Sequence, residues 1–277
     1  IADFSAEINR KIIKVASNTT FQKIKFIIKD PNGNTIIDLM KSDEYLFDVD
    51  MDSNTLKSGV HTAYWDLEYE EPKVQKDFVS MYYSASKGYG PEAIPGNYMI
   101  ELSINEEVLS VPLTVAVDPR WDVSKADLQN QFDIANQVIK LINESQKKLS
   151  EMRQITTQIK SYITLTKEKE FSDDIKQLGN KVIEKIVSIE SELYQNKIKT
   201  SQDEINYARK WTNHITHLYD RITTDIQRPN DGMIKRLDEL TKNYNAIISP
   251  YKAILENDLN TFTSFLKEKG IAGIIID

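Results

Sequence analysis

The hydrophobic rhythm of the chain changes once. Up to Val117 apolar residues recur at every second position; from Ser124 onward they recur at every third and fourth. The change falls on Val117-Asp118-Pro119-Arg120, so the pattern predicts a sheet domain over 1–120 and a helical domain over 121–277. In the first half, Ile24, Phe26 and Ile28 alternate with Lys23, Lys25 and Lys29, and Asn32-Gly33 supplies a hairpin turn before Ile36 to Leu39 return. Ile8 to Val15 is expected as a further strand. Gly59 to Tyr69 reads as another, with Ala63, Trp65 and Leu67 on one face. Tyr98, Ile100, Leu102 and Ile104 alternate after Pro95-Gly96. Asn105-Glu106 then turns the chain into Leu109, Val111, Leu113, Val115 and Val117. Short strands with turn signals and no helix between them predict an antiparallel Ig-like β-sandwich.

The second half predicts an antiparallel bundle of about four helices. Ser124-Lys-Ala-Asp127 resembles a capping box, and Leu128 to Tyr162 keep helical spacing over roughly 40 residues, about 60 Å at 1.5 Å per residue. Ser172 or Asp173 is expected to cap a second helix. Ser201-Gln-Asp-Glu204 is expected to open a third through Ile205, Ala208 and Trp211. Asn230 is expected to cap the last helix. Pro250 should kink or split it, and Gly270 should close it. The fold class is therefore α+β, with the two kinds of structure segregated along the chain.

Composition changes this picture little. Hydrophobic residues make up 40% and charged residues 28%, a globular balance. No apolar run reaches the roughly 18 residues of a membrane span. The chain opens Ile1-Ala2-Asp3, without Met and without a basic start, and reads as a fragment or a processed chain. Absence of cysteine excludes disulfides, thiolate metal sites and a cysteine nucleophile. The net charge is −7; residues 1–120 hold 12 Lys/Arg against 19 Asp/Glu, and the remainder is balanced. An acidic domain repels phosphate backbones, so nucleic acid is not an expected partner.

No residue is nominated as catalytic, cofactor-binding or metal-ligating. Asp48, Asp50 and Asp52 have the opening spacing of a calcium loop, but Ser53 and Gly59 stand where such a loop wants Gly and Glu. His214 and His217 share a helix face with Asp220, without an HExxH pattern. Phe78, Met81, Tyr82, Tyr83 and Tyr89 crowd a long loop, which predicts packing of that loop ahead of a binding surface.

An ordered set of short motifs carries a family likeness: Asp30-Pro-Asn-Gly33, Trp65-Asp66-Leu67, Gly90-Pro91, Pro95-Gly-Asn-Tyr98, Asp118-Pro119-Arg120 and Asp127-Leu128-Gln129. The set resembles the C-terminal region of large bacterial exported proteins with bacterial-neuraminidase-type repeats, often labelled sortilin-like or glycosyl hydrolase. It covers nearly the whole chain and is strongest over 59–131. The resemblance implies an Ig-like domain and a helical segment behind a β-propeller. It implies an exported protein whose glycosidase site, where one exists, lies upstream. The chain itself is then a non-catalytic accessory region that supports the propeller and contacts protein or glycan. The alternatives are a part of a glycoside hydrolase and a purely structural spacer. Structural roles are expected for Trp65, Asp66, Pro95, Gly96, Tyr98, Asp118, Pro119 and Arg120. Trp65 and Tyr98 pack together, Gly96 takes a turn conformation closed to other residues, Pro119 stops the last strand, and Arg120 and Trp121 reach both halves.

Overall fold

The computed structural model describes residues 5–7, 24–39, 46–47, 62–63, 65–76, 78–81, 83, 88–104 and 107–271. The expected strand over Ile8 to Val15 and the acidic residues Asp48, Asp50 and Asp52 lie outside them. The chain is α+β and forms two compact units that interleave in sequence. One comprises residues 1–71, 89–133 and 226–228; the other comprises 72–88, 134–225 and 229–277. Segment 72–88, inside the half that reads as sheet, belongs to the helical unit.

The first unit holds strands β1 (Ser5–Glu7), β2 (Ile24–Lys29), β3 (Thr35–Asp38), β6 (Gly96–Ile104) and β7 (Glu107–Ala116) in one antiparallel sheet of order β1-β7-β6-β2-β3. A separate short ladder pairs β4 (Leu46–Phe47) with β5 (Thr62–Ala63). The β2–β3 hairpin follows from its turn residues. Asp30 accepts the N–H groups of Asn32 and Asn34 at 2.9 and 2.8 Å, and Gly33 takes the positive φ of 85° that its place demands. The β6–β7 ladder runs from Gly96 opposite Val115 to Ile104 opposite Glu107. Ile28, Ile36, Leu39, Ala93, Tyr98, Leu113 and Val115 form its buried core. Leu109, expected to face inward, is exposed.

The strand expected over Gly59 to Tyr69 ends early. Beyond Ala63 the described residues leave the ladder, because Leu67 adopts φ 68° and Asp66 Oδ1 accepts the Glu68 N–H at 2.9 Å. The chain then makes a single antiparallel bridge, Glu68 to Glu92. Gly90 is required there: a Cβ would lie 1.7 Å from the Tyr69 carbonyl oxygen.

The helical unit carries α1 (Lys125–Leu165), α2 (Ser172–Leu193), α3 (Trp211–Thr223), α4 (Asp231–Ala253) and α5 (Asn260–Glu268). The first turns of α1 belong to the sheet unit. Ser124 caps α1 as expected, its Oγ accepting the Asp127 N–H at 3.1 Å. Asn230 caps α4 through the Met233 N–H at 3.0 Å. Gly270, at φ 76°, closes α5 in a Schellman turn, with Ile271 N–H on the Leu266 carbonyl and Gly270 N–H on that of Lys267.

Two expectations fail here. Neither Ser172 nor Asp173 caps α2; Phe171 occupies that position without a side-chain bond. Ser201 to Ile205 is a 3-10 turn, and α3 starts only at Trp211. Pro250 lies inside α4, three residues before its α-helical pattern ends. The Ser249 hydroxyl donates to the Ala246 carbonyl at 3.0 Å, the acceptor that proline cannot serve. A π-helical stretch, Ile254–Leu259, then runs on into α5.

Side-chain pairs give the helix directions. Arg153 meets Glu190, while Gly179 lies against Ile159, so α2 is antiparallel to α1. Glu144 meets Tyr244, Lys148 lies over Tyr251, and Tyr162 packs on Phe262, so α4–α5 is parallel to α1. Trp211 donates to the Leu240 carbonyl, while His217 and Arg221 share a cleft with Met233, so α3 is antiparallel to α4. The helices therefore form three rods: α1, then α2 followed in the same direction by α3, then α4–α5. The middle rod is broken at 194–210, which replaces the regular antiparallel order expected of the bundle.

Candidate functional site

The motif residues of the sheet unit are structural in their contacts. Trp65 and Tyr98 pack with ring centroids 5.5 Å apart, and Trp65 Nε1 donates to the Glu68 carbonyl at 2.9 Å. Tyr98 is buried and its hydroxyl donates to the Ile94 carbonyl at 2.7 Å. Pro95 precedes β6. Gly96 does not take the expected turn conformation, since its φ is not positive. What it supplies is room, because a Cβ there would stand 3.3 Å from the Pro31 ring. Pro119 follows the end of β7, as expected of a residue that cannot donate to a ladder. Arg120 folds back on Asp118: its backbone N–H and its guanidinium both donate to that carboxylate. Those bonds hold the Asp118 carboxyl down at about 2. Trp121 is 47% exposed.

The aromatic loop packs. Phe78 and Tyr83 are buried in the helical unit, against Tyr194 and Tyr219 respectively. Tyr82 lies outside the described residues. The loop backbone is held by side chains of the helices. Lys73 N–H donates to Asn143 at 2.7 Å, Gln75 N–H to Gln146 at 3.1 Å, and Met81 N–H to Glu204 at 2.9 Å. Glu204 also accepts from Asn213 and Arg209. This explains a buried carboxylate that sequence alone reads as a helix cap.

His214 and His217 line a cleft of about 330 Å³ with Arg221, Arg236 and the first turn of α4. Burial first, and then neighbouring arginines, hold both imidazoles below their ordinary range. Asp220, the remaining candidate ligand, is engaged by Arg221 at 2.8 Å. Among the described residues no group of His, Cys, Asp or Glu is placed to hold a metal. Among them, too, no helix is long and apolar enough to cross a membrane.

The more developed cleft opens where the middle rod breaks. It is a groove of about 480 Å³, within the usual range of ligand sites. Arg153, Thr156, Thr157 and Lys160 line it from α1, and Val187, Glu190 and Ser191 from α2. Tyr194 to Lys197 and Lys210 close one end. These positions follow from helical spacing: 153, 156, 157 and 160 fall on one stripe of α1, as do 187, 190, 191 and 194 on the facing rod. Tyr194 turns extended at the end of α2 and lets the chain leave the rod. Segment 194–210 is then fixed by its own bonds, with Gln195 donating to the Ala208 carbonyl and Asp203 accepting the N–H groups of Lys199 and Thr200.

The groove carries four cations and one carboxylate. Arg153 donates to Glu190 at 2.8 Å and stacks 4.7 Å over the Tyr194 ring, so it is pinned in place and balances that carboxylate. Lys210 reaches Glu192 at 3.2 Å. Lys160 and Lys197 have no carboxylate partner among the described residues; the Lys197 ammonium lies 5.7 Å from the Tyr207 ring. Around them stand the hydroxyls of Thr157 and Ser191 and the amides of Gln195 and Asn196. The sequence carries no motif for this site, because its cations stand on separate elements that only the fold brings together. No family model, no curated protein and no solved structure matches the chain.

Proposed function

We propose that this chain is a non-catalytic accessory region of a larger exported bacterial protein, in which it supports an upstream propeller and holds a protein or glycan. The observation that carries the reading is the groove. On a chain of net charge −7 it gathers four cations around fixed hydrogen-bonding groups. A recess that gathers cations on an acidic chain suits the capture of an anionic partner.

The sheet unit in this reading is an Ig-like sandwich. Its strand order supports that, because β6 returns beside β2 after the separate β4–β5 ladder instead of pairing with its predecessor in sequence. So does Tyr98, whose hydroxyl reaches back four residues at the start of β6 in the manner of a tyrosine corner. The glycosidase chemistry that the family resemblance names belongs to the propeller and is assigned to no residue here. The test is incubation of the 277-residue chain with a panel of sialosides and other aryl glycosides. No turnover is expected; turnover abolished by substituting one Asp or Glu contradicts the reading.

A further inference from the structure

From the groove between α1 and the broken rod we infer an acidic oligosaccharide as its ligand, a short chain of sugars bearing carboxylate or sulfate groups. The inference rests on the reading of the chain as a binding region and names what it binds. Three features point the same way.

The first is charge. Once Arg153 has neutralised Glu190, and Lys210 is shared with Glu192, Lys160 and Lys197 remain without carboxylate partners among the described residues. Lys160 lies seven residues along α1 from Arg153, about 10 Å at 1.5 Å per residue, while Lys197 lies beyond the end of α2 beside the Tyr194 turn. The ammonium groups therefore stand toward opposite ends of the groove. A ligand that engages both carries two acidic groups separated by more than one sugar ring.

The second is the wall between them. Thr157, Ser191 and Asn196 line it with hydroxyl and amide groups at close spacing, which suits a ligand rich in hydroxyls, while the Gln195 amide is committed to the Ala208 carbonyl and the Lys197 N–H. Arg153 and Tyr194 are already stacked on each other, so the groove contributes a fixed guanidinium edge and needs little ordering when a ligand enters. The third is what the wall lacks. Among the described residues, Val187, 45% exposed, and Tyr194, buried beneath Arg153, are the only aliphatic and aromatic side chains that line it. A bound peptide takes most of its affinity from apolar or aromatic anchors seated in pockets, and the groove has no such pocket. An acidic peptide is therefore the less fitting partner.

Calorimetric titration of the full chain tests this with three probes: tetragalacturonate, the neutral tetragalactose and hexaglutamate. The expected result is binding of the tetragalacturonate alone, weakened by salt. Lys160→Gln combined with Lys197→Gln should weaken it by about tenfold or more. Val187→Trp, which fills the groove without changing its charge, should abolish it. Both variants alter exposed side chains, and a thermal melt confirms their fold. Binding of hexaglutamate without the saccharide overturns the inference and leaves the binding-region reading standing. Binding of none of the probes overturns both. Saccharide binding that survives both variants places the ligand elsewhere and overturns the inference.

Discussion

At the scale of the residue, the sheet unit turns on a carboxyl that resists ionisation. Glu68 accepts the Gly90 N–H at 2.8 Å, beside its bridge partner Glu92. Burial, opposed by that hydrogen bond and reinforced by Asp66, Glu92 and Glu71, pushes the Glu68 carboxyl up to about 7; burial raises Glu92 as well. The sign follows from linkage. Between about 4.5, the ordinary value, and about 7 the folded chain holds a proton that the unfolded chain has lost. Stability from this group is therefore fully present below the lower value and is lost as pH rises through the upper one. Melting temperatures measured from pH 5 to pH 8 should fall more steeply for the wild type than for Glu68→Gln. Parallel curves contradict the account. None of this was legible beforehand, because Glu68 reads in sequence as one more polar position of an alternating strand. By contrast Gly33 and Asn230 were legible, since each acts through neighbours within four residues.

At the scale of the element, local signals held at the starts of α1 and α4 and the end of α5, and missed the start of α2. The long first helix, its Ser124 cap and the Gly270 stop all follow from spacing and capping chemistry. The failure at α3 has a tertiary cause. Ser201 to Glu204 has the composition of a capping box, but Met81, Asn213 and Arg209 claim the Glu204 carboxylate, so the segment closes as a 3-10 turn. The β5 reading failed likewise, at the left-handed turn of Leu67. Gly179, in the interior of α2, shows the same competition from the other side. Glycine costs a helix about 1 kcal/mol relative to alanine, yet a Cβ here would stand 2.7 Å from Ile159 Cγ2 and 3.1 Å from Ile163 Cδ1. Close rod packing outweighs propensity. Gly179→Ala should lower stability by about 1–2 kcal/mol in chemical denaturation, the range for mild overpacking. A stabilised variant, following helix propensity alone, contradicts the packing assigned to this site.

At the scale of the whole molecule, the change of rhythm near Val117 separates sheet from helix, yet the compact units do not follow that boundary. Segment 72–88 crosses into the helical unit because Phe78 and Tyr83 are buried there and helix side chains satisfy its backbone. Periodicity has no means of recording that. Nor does it record the groove, which exists only because α2 and α3 form one rod with a gap, bringing Lys160 and Lys197 beside the same recess. The recess is the proposed binding site of the chain. Backbone amide NMR of the 277-residue chain, titrated with tetragalacturonate, tests it most directly. Shifts are expected to concentrate at Arg153, Thr157, Lys160, Ser191, Asn196 and Lys197. Shifts confined to the sheet residues, or a spectrum unchanged at saturating saccharide, would contradict it.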